Sequence, residues 1–158
     1  MRRLAAGVTI ITAGHEGERM GLTATAVCSL TATPPRLLAC VNLHGATYRL
    51  ICAGRQMAVN VLADRHEPVA REFSRAGRCS QHMFDQQVWD MADGVPVMRD
   101  ALAVFLCSVE QMLVMDTHAV VIGSVQRVAL AATQPPLLYA DGHYGSLSAS
   151  TQSPPQER

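Results

Sequence analysis

The chain has 158 residues, 49% of them hydrophobic, and its 13 basic residues are matched by 13 acidic residues. This length corresponds to one domain with its own core. Every apolar run falls short of the about 18 residues that a membrane-spanning helix needs. A formal net charge of zero leaves no basic footprint for nucleic acid or an anionic membrane surface, and it offers little repulsion against self-association.

The five cysteines are spaced singly, without a Cys-x-x-Cys pair, and the six histidines are equally dispersed. An odd number of cysteines in apolar surroundings predicts buried, reduced thiols of a cytoplasmic protein. No metal site is predicted, because zinc ligands cluster in sequence. The apolar run after Arg3 is brief, contains Thr9 and lacks a small-residue cleavage site, so we interpret it as a strand and not as a secretory signal. The cysteines are Cys28, Cys40, Cys52, Cys79 and Cys107.

The first third of the chain predicts three strands. Residues 8–12 are rich in β-branched side chains and favour a strand, which residues 14–17 end in a turn. Residues 22–27 can pair back on it as a hairpin. A polar loop follows, ended by the double proline at 34–35, and residues 37–41 indicate a buried third strand.

The middle of the chain predicts two short helices around another strand. Residues 47–53 favour a helix that Gly54 stops, and residues 57–62 favour a strand. Residues 67–73 carry Pro68 in a first helical turn and an apolar side, as a short amphipathic helix would. Residues 74–94, which hold the only tryptophan, are polar and irregular and predict a long surface excursion.

The last third predicts paired strands. Residues 101–115 and 118–131 are rich in Val, Leu and Ile without helical periodicity, as expected of a closed or strongly curved sheet. Residues 137–139 favour a short strand, followed by a turn over 141–145. The tail at 148–158 is rich in Ser, Gln and Pro and is predicted to be disordered, which leaves residues 1–147 as the domain.

Together these elements predict a mainly β fold, a barrel with a few short helices. The strands do not alternate regularly with helices, and no Gly-x-Gly-x-x-Gly follows a strand, so a Rossmann dinucleotide fold is disfavoured.

The segment from Gly21 to Pro35 reads Gly-Leu-Thr-Ala-Thr-Ala-Val-Cys-Ser-Leu-Thr-Ala-Thr-Pro-Pro. Its composition alone is compatible with an ordinary strand end and polar loop. Equally, side chains this small allow a flat ligand to approach the backbone, where hydroxyls and amides can bond its polar edge. With the Leu-Leu-Ala-Cys-Val-Asn that follows, the segment resembles the flavin reductase-like family, and the resemblance extends over about residues 5 to 147.

The resemblance is to split-barrel reductase components of the 4-hydroxyphenylacetate monooxygenase type. It implies an FMN-binding split β-barrel that reduces FMN or FAD with NADH or NADPH and supplies reduced flavin to a flavin-dependent oxygenase. It also implies a homodimer. By position, it places Thr23, Ala24, Thr25 and Ala26 along the isoalloxazine edge and ribityl chain. It places Ser29 and Leu30 against the ribityl–phosphate portion.

In the second motif, Cys40, Val41 and Asn42 end a strand, a glycine-bearing loop follows, and a helix begins. Amides at a helix N-terminus suit a phosphate, and Thr47 is a candidate N-cap residue. The resemblance implies that this loop holds the flavin phosphate. Relatives carry Arg or Ser near this point, and His44 can replace that contact when it is protonated.

The remaining candidates are histidines and a tyrosine late in the chain. A histidine at a strand start is ordinarily a surface or packing residue. In the relatives, however, a histidine in this position lies beside the nicotinamide, which makes His118 the candidate catalytic contact. The closing element similarly implies that His143 and Tyr144 wall the site. Arg75 and Arg78 are read either as dinucleotide phosphate contacts or as solvated side chains.

Two other interpretations stay open. One is a flavin-binding barrel without catalysis, for storage or redox sensing, which would share residues 23–29 but lack a nicotinamide subsite. The other is an oxidase of the pyridoxal-phosphate pathway, which predicts a phosphate site rich in Arg and Lys that this chain barely offers.

Overall fold

Strands dominate the computed structural model, which describes residues 2–75, 81–132 and 134–147. Its strands are β1 (Ala6–Gly7), β2 (Thr9–His15), β3 (Glu18–Ala24), β4 (Val27–Ala32), β5 (Pro35–Asn42), β6 (Gln56–Val61), β7 (Trp89–Ala92), β8 (Val95–Met98), β9 (Ala103–Met115), β10 (His118–Leu130), β11 (Leu137–Ala140) and β12 (His143–Ser146). Its α-helices are α1 (Ala46–Gly54) and α2 (Glu67–Phe73), and short 3-10 turns lie at Asp64–His66 and Gln81–Met83.

A seven-stranded antiparallel sheet has the order β3-β2-β6-β9-β10-β5-β4. Strands β1, β11 and β12 form a smaller sheet, and β7 and β8 form a ribbon. The 13-residue strands β9 and β10 pair along their length, with register shifts between Ile122 and Gly123 and between Val125 and Arg127. Such irregularities increase twist and bending, as a curved sheet requires. The prediction of a mainly β split barrel with a few short helices is confirmed.

The central strands are buried on both faces. Ile10 of β2 packs in a core that includes α2 (the α2-side core), whereas its neighbour Ile11 packs in a second core that includes α1 (the α1-side core). In β9, Leu106 and Cys107 divide between the two cores in the same way. Because successive side chains of a strand point to opposite faces, two covered faces produce a continuous apolar run. This explains why residues 8–12 show no polar alternation.

Strand β4 corrects the prediction for residues 22–35. The predicted strand over 22–27 ends earlier, at Ala24, and the expected polar loop is a strand from Val27 that pairs antiparallel with β5. Most of β4 is exposed to solvent, so it lacks the hydrophobic signal from which strands are recognised. One side of its main chain pairs with β5, and no local pattern in β4 encodes that partner.

The region 74–94 is also different from its prediction. Instead of a surface excursion, it carries Phe84 and Trp89 into the α2-side core, where their exposed fractions are 5% and 4%. Both rings contact Phe73 of α2, each with a centroid distance of 5.5 Å, and their own centroids lie 5.2 Å apart. Polar composition around these aromatics hid a packing unit that only the folded chain assembles. Residues 76–80 and the predicted disordered tail at 148–158 lie outside the described residues.

The described cysteines are free thiols, but the expectation that all are buried is wrong. Only Cys107 is buried; Cys28 and Cys52 are exposed and Cys40 is intermediate, while Cys79 lies outside the described residues. Burial raises the pKa of the Cys107 thiol to about 12, which keeps it protonated and unreactive.

None of the helices within the described ranges is long and apolar enough to cross a membrane.

A buried histidine fixes the turn before α2. Nδ1 of His66 accepts a hydrogen bond from the main-chain N–H of Ala63 at 3.0 Å. Nε2 of His66 therefore carries the proton and donates to Asp100 Oδ2 at 3.1 Å. Arg65 Nη2 also donates to Asp100 Oδ2, at 3.1 Å. Burial pushes the pKa of Asp100 upward, but the bonds from His66 and Arg65 outweigh it and hold the pKa below its ordinary value of 3.8.

This arrangement predicts a loss of stability in acid. A carboxyl whose folded-state pKa is depressed stabilises the fold above its unfolded pKa, and that contribution disappears as the pH falls through the folded pKa. We therefore expect Asp100→Asn to be less stable than the parent by under about 1 kcal/mol at neutral pH, because the carboxyl is half exposed. Urea unfolding below pH 3.8 should bring the two proteins together. A difference that persists unchanged at low pH would contradict the assignment.

Candidate functional site

A cleft of about 780 Å³, the first cleft, opens between β3, the start of α1 and the end of α2. It gathers nine of the predicted residues from segments far apart in the chain. These are Thr23, Ala24, Thr25, Ala26, Cys40, Asn42, His44, Thr47 and His118. The other residues around it are Met20, Gly21, Leu22, Gly45, Ala46, Arg49, Phe73, Ser74 and Arg75.

One wall of the first cleft is an edge strand of the sheet. Seven consecutive residues, from Met20 to Ala26, line it, and β3 is an edge strand. Since one face of a strand exposes only alternate residues, an unbroken run of lining residues indicates that the cleft also borders the main chain of the strand. An edge strand has N–H and C=O groups directed away from its single partner. This wall can therefore present donors and acceptors to the rim of a flat, polar ring.

Gly21 has a structural reason to be glycine. A Cβ at this position would lie 2.7 Å from Cε1 and 2.9 Å from Cδ1 of Phe73. The aromatic ring therefore packs directly against the backbone of β3, where a larger side chain would displace it. Gly21, which belongs to the segment predicted to bind a ligand, therefore also allows α2 to pack beside the cleft.

A second contact fixes α2 to the same strand. Thr23 Oγ1 donates to the Ala70 carbonyl at 2.6 Å. This bond and the Phe73 contact position Ser74 and Arg75, which follow α2 and line the first cleft. Thr23 thus has a structural task in addition to its predicted ligand contact.

The opposite end of the first cleft is the N-terminus of α1. The helix begins at Ala46 after Gly45, with no side-chain cap and no acidic residue in its first turn. Thr47 is therefore not the N-cap residue: it lies inside the helix and is buried. Asn42 Oδ1 instead accepts the His44 N–H at 2.9 Å, just before the helix. First-turn amides that no side chain bonds suit an anion.

His118 is brought beside this loop by strand register. It starts β10 directly opposite Asn42 of β5, so the two side chains share one face of the sheet. His118 is exposed, and its Nδ1 lies 2.8 Å from Thr117 Oγ1. The histidine is thus accessible from the first cleft at a point set by the β5–β10 pairing.

A second cleft of about 410 Å³ adjoins the first. The two share Thr23, Thr25, Ser74 and Arg75. The other residues of the second cleft are Val8, Arg71, Tyr139, Gly142 and Tyr144. It therefore lies between the end of α2 and the hairpin formed by β11 and β12.

Tyr144 is the aromatic wall of the second cleft. Its ring lies 4.8 Å from the Arg71 guanidinium carbon and packs edge-to-face on Tyr139, with centroids 5.0 Å apart. Burial raises the pKa of the Tyr144 hydroxyl, which therefore stays protonated and neutral at neutral pH. His143 is exposed, with Nδ1 3.0 Å from the Asp141 carbonyl, and lines neither cleft.

Besides His143, three predicted residues lie outside both clefts. The Val41 side chain is fully buried in the α1-side core. Ser29 and Leu30 belong to β4 and are exposed; Ser29 lines a separate apolar cleft of about 430 Å³. Within one chain, neither β4 residue reaches the first cleft.

Sequence reasoning missed two basic residues of the site, Arg49 and Arg71, and left the role of Arg75 open. Arg49 lines the first cleft at the α1 end, and Arg71 lines the second. Within the described residues Arg49 and Arg75 have no ion-pair partner, whereas Arg71 pairs with Glu67 at 2.6 Å. The signal available was positional: Arg71 lies in the last turn of a predicted helix, and Arg75 follows the end of that helix by two residues. Their charge favours an anionic ligand.

Comparison with known proteins identifies the family of the chain. The model of the flavin reductase-like domain matches residues 1–148. An FMN reductase (NADH) RutF of Pantoea ananatis is 36% identical over 148 residues, covering 93% of this chain and 77% of the relative. A 4-hydroxyphenylacetate 3-monooxygenase reductase component of Salmonella typhi is 32% identical over 157 residues, covering 98% and 92%.

A solved structure of a flavin reductase shares the fold of this chain. The NADH:FAD oxidoreductase SgcE6 of Streptomyces globisporus C-1027, in complex with NAD and FAD fragments, superposes with a TM-score of 0.86 at 25% identity. The alignment covers 95% of this chain and 90% of that one. With a family model over nearly its whole length, two similar relatives and a shared fold, the chain belongs to the flavin reductase-like domain family.

Proposed function

We propose that the protein is an NADH-dependent flavin reductase whose first cleft binds FMN. The observation that carries this proposal is the pairing of two features at opposite ends of one cleft. One end has the edge strand β3 with the small residues 23–26, and the other has the N-terminus of α1, which no side chain caps, with Arg49 beside it. A flavin mononucleotide has the matching form, a flat ring with alternating donors and acceptors and a phosphate at the far end of its chain.

The relatives support the choice of cofactors. RutF proteins carry FMN and NADH in their names, and SgcE6 carries NADH and FAD. We therefore propose FMN as the first acceptor and FAD as an alternative, with NADH preferred to NADPH as donor. When both cofactors are bound, they supply the chemistry: a hydride, two electrons with one proton, passes from nicotinamide C4 to flavin N5.

In this proposal, the chain's own residues bind and orient. Thr23, Ala24, Thr25 and Ala26 border the ring, and main-chain donors of this edge stabilise negative charge that develops on the pyrimidine side of the flavin. The phosphate is surrounded by Asn42, His44 and Thr47, together with Cys40 and the main chain at Val41.

The electron donor is contacted by a different set of residues. His118 lies beside the nicotinamide, and His143 and Tyr144 flank the side from which the donor binds. The resemblance and the lining of the two clefts together support these roles, except those of Val41 and His143, which line neither cleft and rest on the resemblance alone.

We further propose that the protein acts as a homodimer in the cytoplasm and passes reduced flavin to an oxygenase. In this proposal Ser29 and Leu30 contact the flavin through a second subunit that completes the first cleft, because neither residue lines that cleft within one chain. The Salmonella relative is named as a monooxygenase component, which supports an oxygenase partner. Sedimentation velocity tests the dimer, and a single species of 17.0 kDa would contradict it.

Anaerobic stopped-flow absorbance tests the main proposal. Protein and FMN are mixed with NADH, and the oxidised flavin band is followed; we expect it to bleach with a rate that saturates in NADH. Replacing FMN by FAD, and NADH by NADPH, ranks the cofactors. Tight FMN binding without bleaching would instead identify a flavin-binding barrel without catalysis, and no perturbation of the flavin spectrum would refute both interpretations.

The role of His118 makes a separate prediction. His118→Ala should slow flavin reduction or raise the KM for NADH about tenfold, because a polar contact to the donor is lost. The Kd for FMN should stay the same. His15→Ala, which removes a partly exposed histidine outside both clefts, provides the matched control. Equal turnover in His118→Ala and the parent protein would exclude the histidine from the donor site.

A further inference from the structure

A groove of about 430 Å³, the α1 groove, runs along helix α1 and meets the first cleft at the start of that helix. The helix lines it with Ala46, Arg49, Leu50 and Ala53, which are spaced as i, i+3, i+4 and i+7 and therefore share one side. The opposite wall is the hairpin of β2 and β3. Because Met20, Ala46 and Arg49 also line the first cleft, the groove continues from the end where the flavin phosphate is placed.

This continuation concerns FAD, which extends beyond the flavin phosphate by a second phosphate and an adenosine. From Ala46 to Ala53 the groove follows α1 for about 10 Å, at about 1.5 Å a residue. With the first phosphate at the start of α1, the second phosphate of FAD would enter this groove. We propose that the α1 groove disfavours the adenylate of FAD and makes the protein selective for FMN, an inference that rests on the proposed function.

The charges along the groove oppose a second phosphate. Glu18 lies two residues before Met20 on β3, so both side chains are on the same face of the strand, and both line the groove. Glu18 has no ion-pair partner within the described residues. Arg49 is the one Arg or Lys among the described residues of the groove, and in the proposed function it faces the first phosphate. A second phosphate would thus meet an unpaired carboxylate and no further Arg or Lys.

The far end of the groove is equally unfavourable for an adenylate. Glu16 and His15 line it, with Glu16 Oε1 3.9 Å from His15 Nε2, so the carboxylate offsets any charge on the imidazole. The last turn of α1 carries no basic residue, which leaves the partial negative charge of the helix C-terminus uncompensated. No Phe, Tyr or Trp occurs among the described residues that line the groove, so adenine finds no aromatic ring on which to stack.

Both carboxylates belong to a tightly paired hairpin. Strands β2 and β3 stay paired up to His15 and Glu18, directly before the turn. Glu16 and Gly17, which form the turn, both have positive φ, at 48° and 87°, as expected of a two-residue type I′ turn. The carboxylates are therefore carried beside the groove by a hydrogen-bonded element and not by a free loop.

Fluorescence titration with FMN and with FAD measures this selectivity without turnover. We expect the parent protein to bind FMN about tenfold more tightly than FAD. Glu18→Gln should reduce that ratio about threefold, because screening limits the effect of an exposed carboxylate, and Glu18→Arg should abolish or reverse it. Glu72→Gln, which neutralises an exposed carboxylate outside the first cleft and the α1 groove, is the matched control and should keep the parent ratio. An unchanged ratio in Glu18→Arg, or a parent protein that binds FAD as tightly as FMN, would overturn the inference.

Riboflavin and NADH separate this inference from the proposed function. Riboflavin has no phosphate, so its Kd should be the same in the parent protein, Glu18→Gln and Glu18→Arg. If riboflavin and FAD shift equally, Glu18 acts on the ring or on the fold instead of on the second phosphate, and the inference is wrong. If neither FMN nor FAD binds or is reduced by NADH, the proposed function itself fails. If both flavins are bound and reduced, with the same FMN-to-FAD ratio in the parent protein and the Glu18 variants, only the selectivity inference fails.

Discussion

Ala46→Glu should weaken FMN binding about a hundredfold while it makes helix α1 more stable. Ala46 is the first residue of the helix, at the end of the first cleft where the phosphate is placed. A carboxylate there repels the phosphate, and at a few ångströms in a partly solvated site this costs about 2–4 kcal/mol. The same carboxylate interacts favourably with the helix dipole, by about 0.3–1 kcal/mol. Fluorescence titration with FMN and thermal unfolding without flavin measure the two effects.

Riboflavin and a neutral variant provide the controls for this experiment. Riboflavin has no phosphate, so Ala46→Glu should change its affinity far less than that of FMN. Ala46→Gln has nearly the same size without the charge and should bind FMN close to the parent level. If Ala46→Glu weakens riboflavin and FMN equally, the phosphate does not lie at the start of α1.

Trp89→Ala should reduce the free energy of unfolding by about 3–5 kcal/mol. Trp89 is 4% exposed, and its ring contacts Phe73 and Phe84 in the α2-side core. Truncation removes this buried surface and leaves a cavity that a rigid sheet cannot close. Phe73 supports Ser74 and Arg75, so the KM for NADH should rise as well. Urea unfolding and steady-state kinetics measure the two changes.

Met91→Ala is the matched control for the tryptophan. Met91 lies on the same strand, β7, but is 44% exposed, so its truncation should change stability by no more than about 0.5 kcal/mol. A similar small loss for Trp89→Ala would show that the aromatic cluster does not stabilise the fold.

Local patterns were sufficient where a segment's own chemistry decides its structure. Helix α2 has the bounds that Pro68 and the apolar side of the segment predicted. The β-branched run of β2 and the long apolar runs of β9 and β10 also became strands as expected. In contrast, β4 was missed because its exposed side chains carry no pattern, and only its pairing with β5 makes it a strand.

The candidate site also has parts that the sequence predicted and parts that only the folded chain revealed. The small residues 23–26 and the loop before α1 were recognisable as motifs because each is contiguous in sequence. The position of the helix start could not be recognised in the same way, since Asn42 rather than Thr47 provides the side-chain hydrogen bond in that loop. The sequence also left two roles open for Arg75, because the placement of this residue depends on the Thr23–Ala70 bond and on the contact between Gly21 and Phe73.

By itself, the amino-acid sequence determined the strand-rich architecture, the flat-ligand segment and the family to which the chain belongs, because these depend on residues that are neighbours in the chain. Only the tertiary structure decided that Asn42 and His118 lie side by side and that a second cleft opens beside the first. The physical reason is that strand register and the docking of α2 on β3 are long-range pairings, whose partners no local pattern specifies.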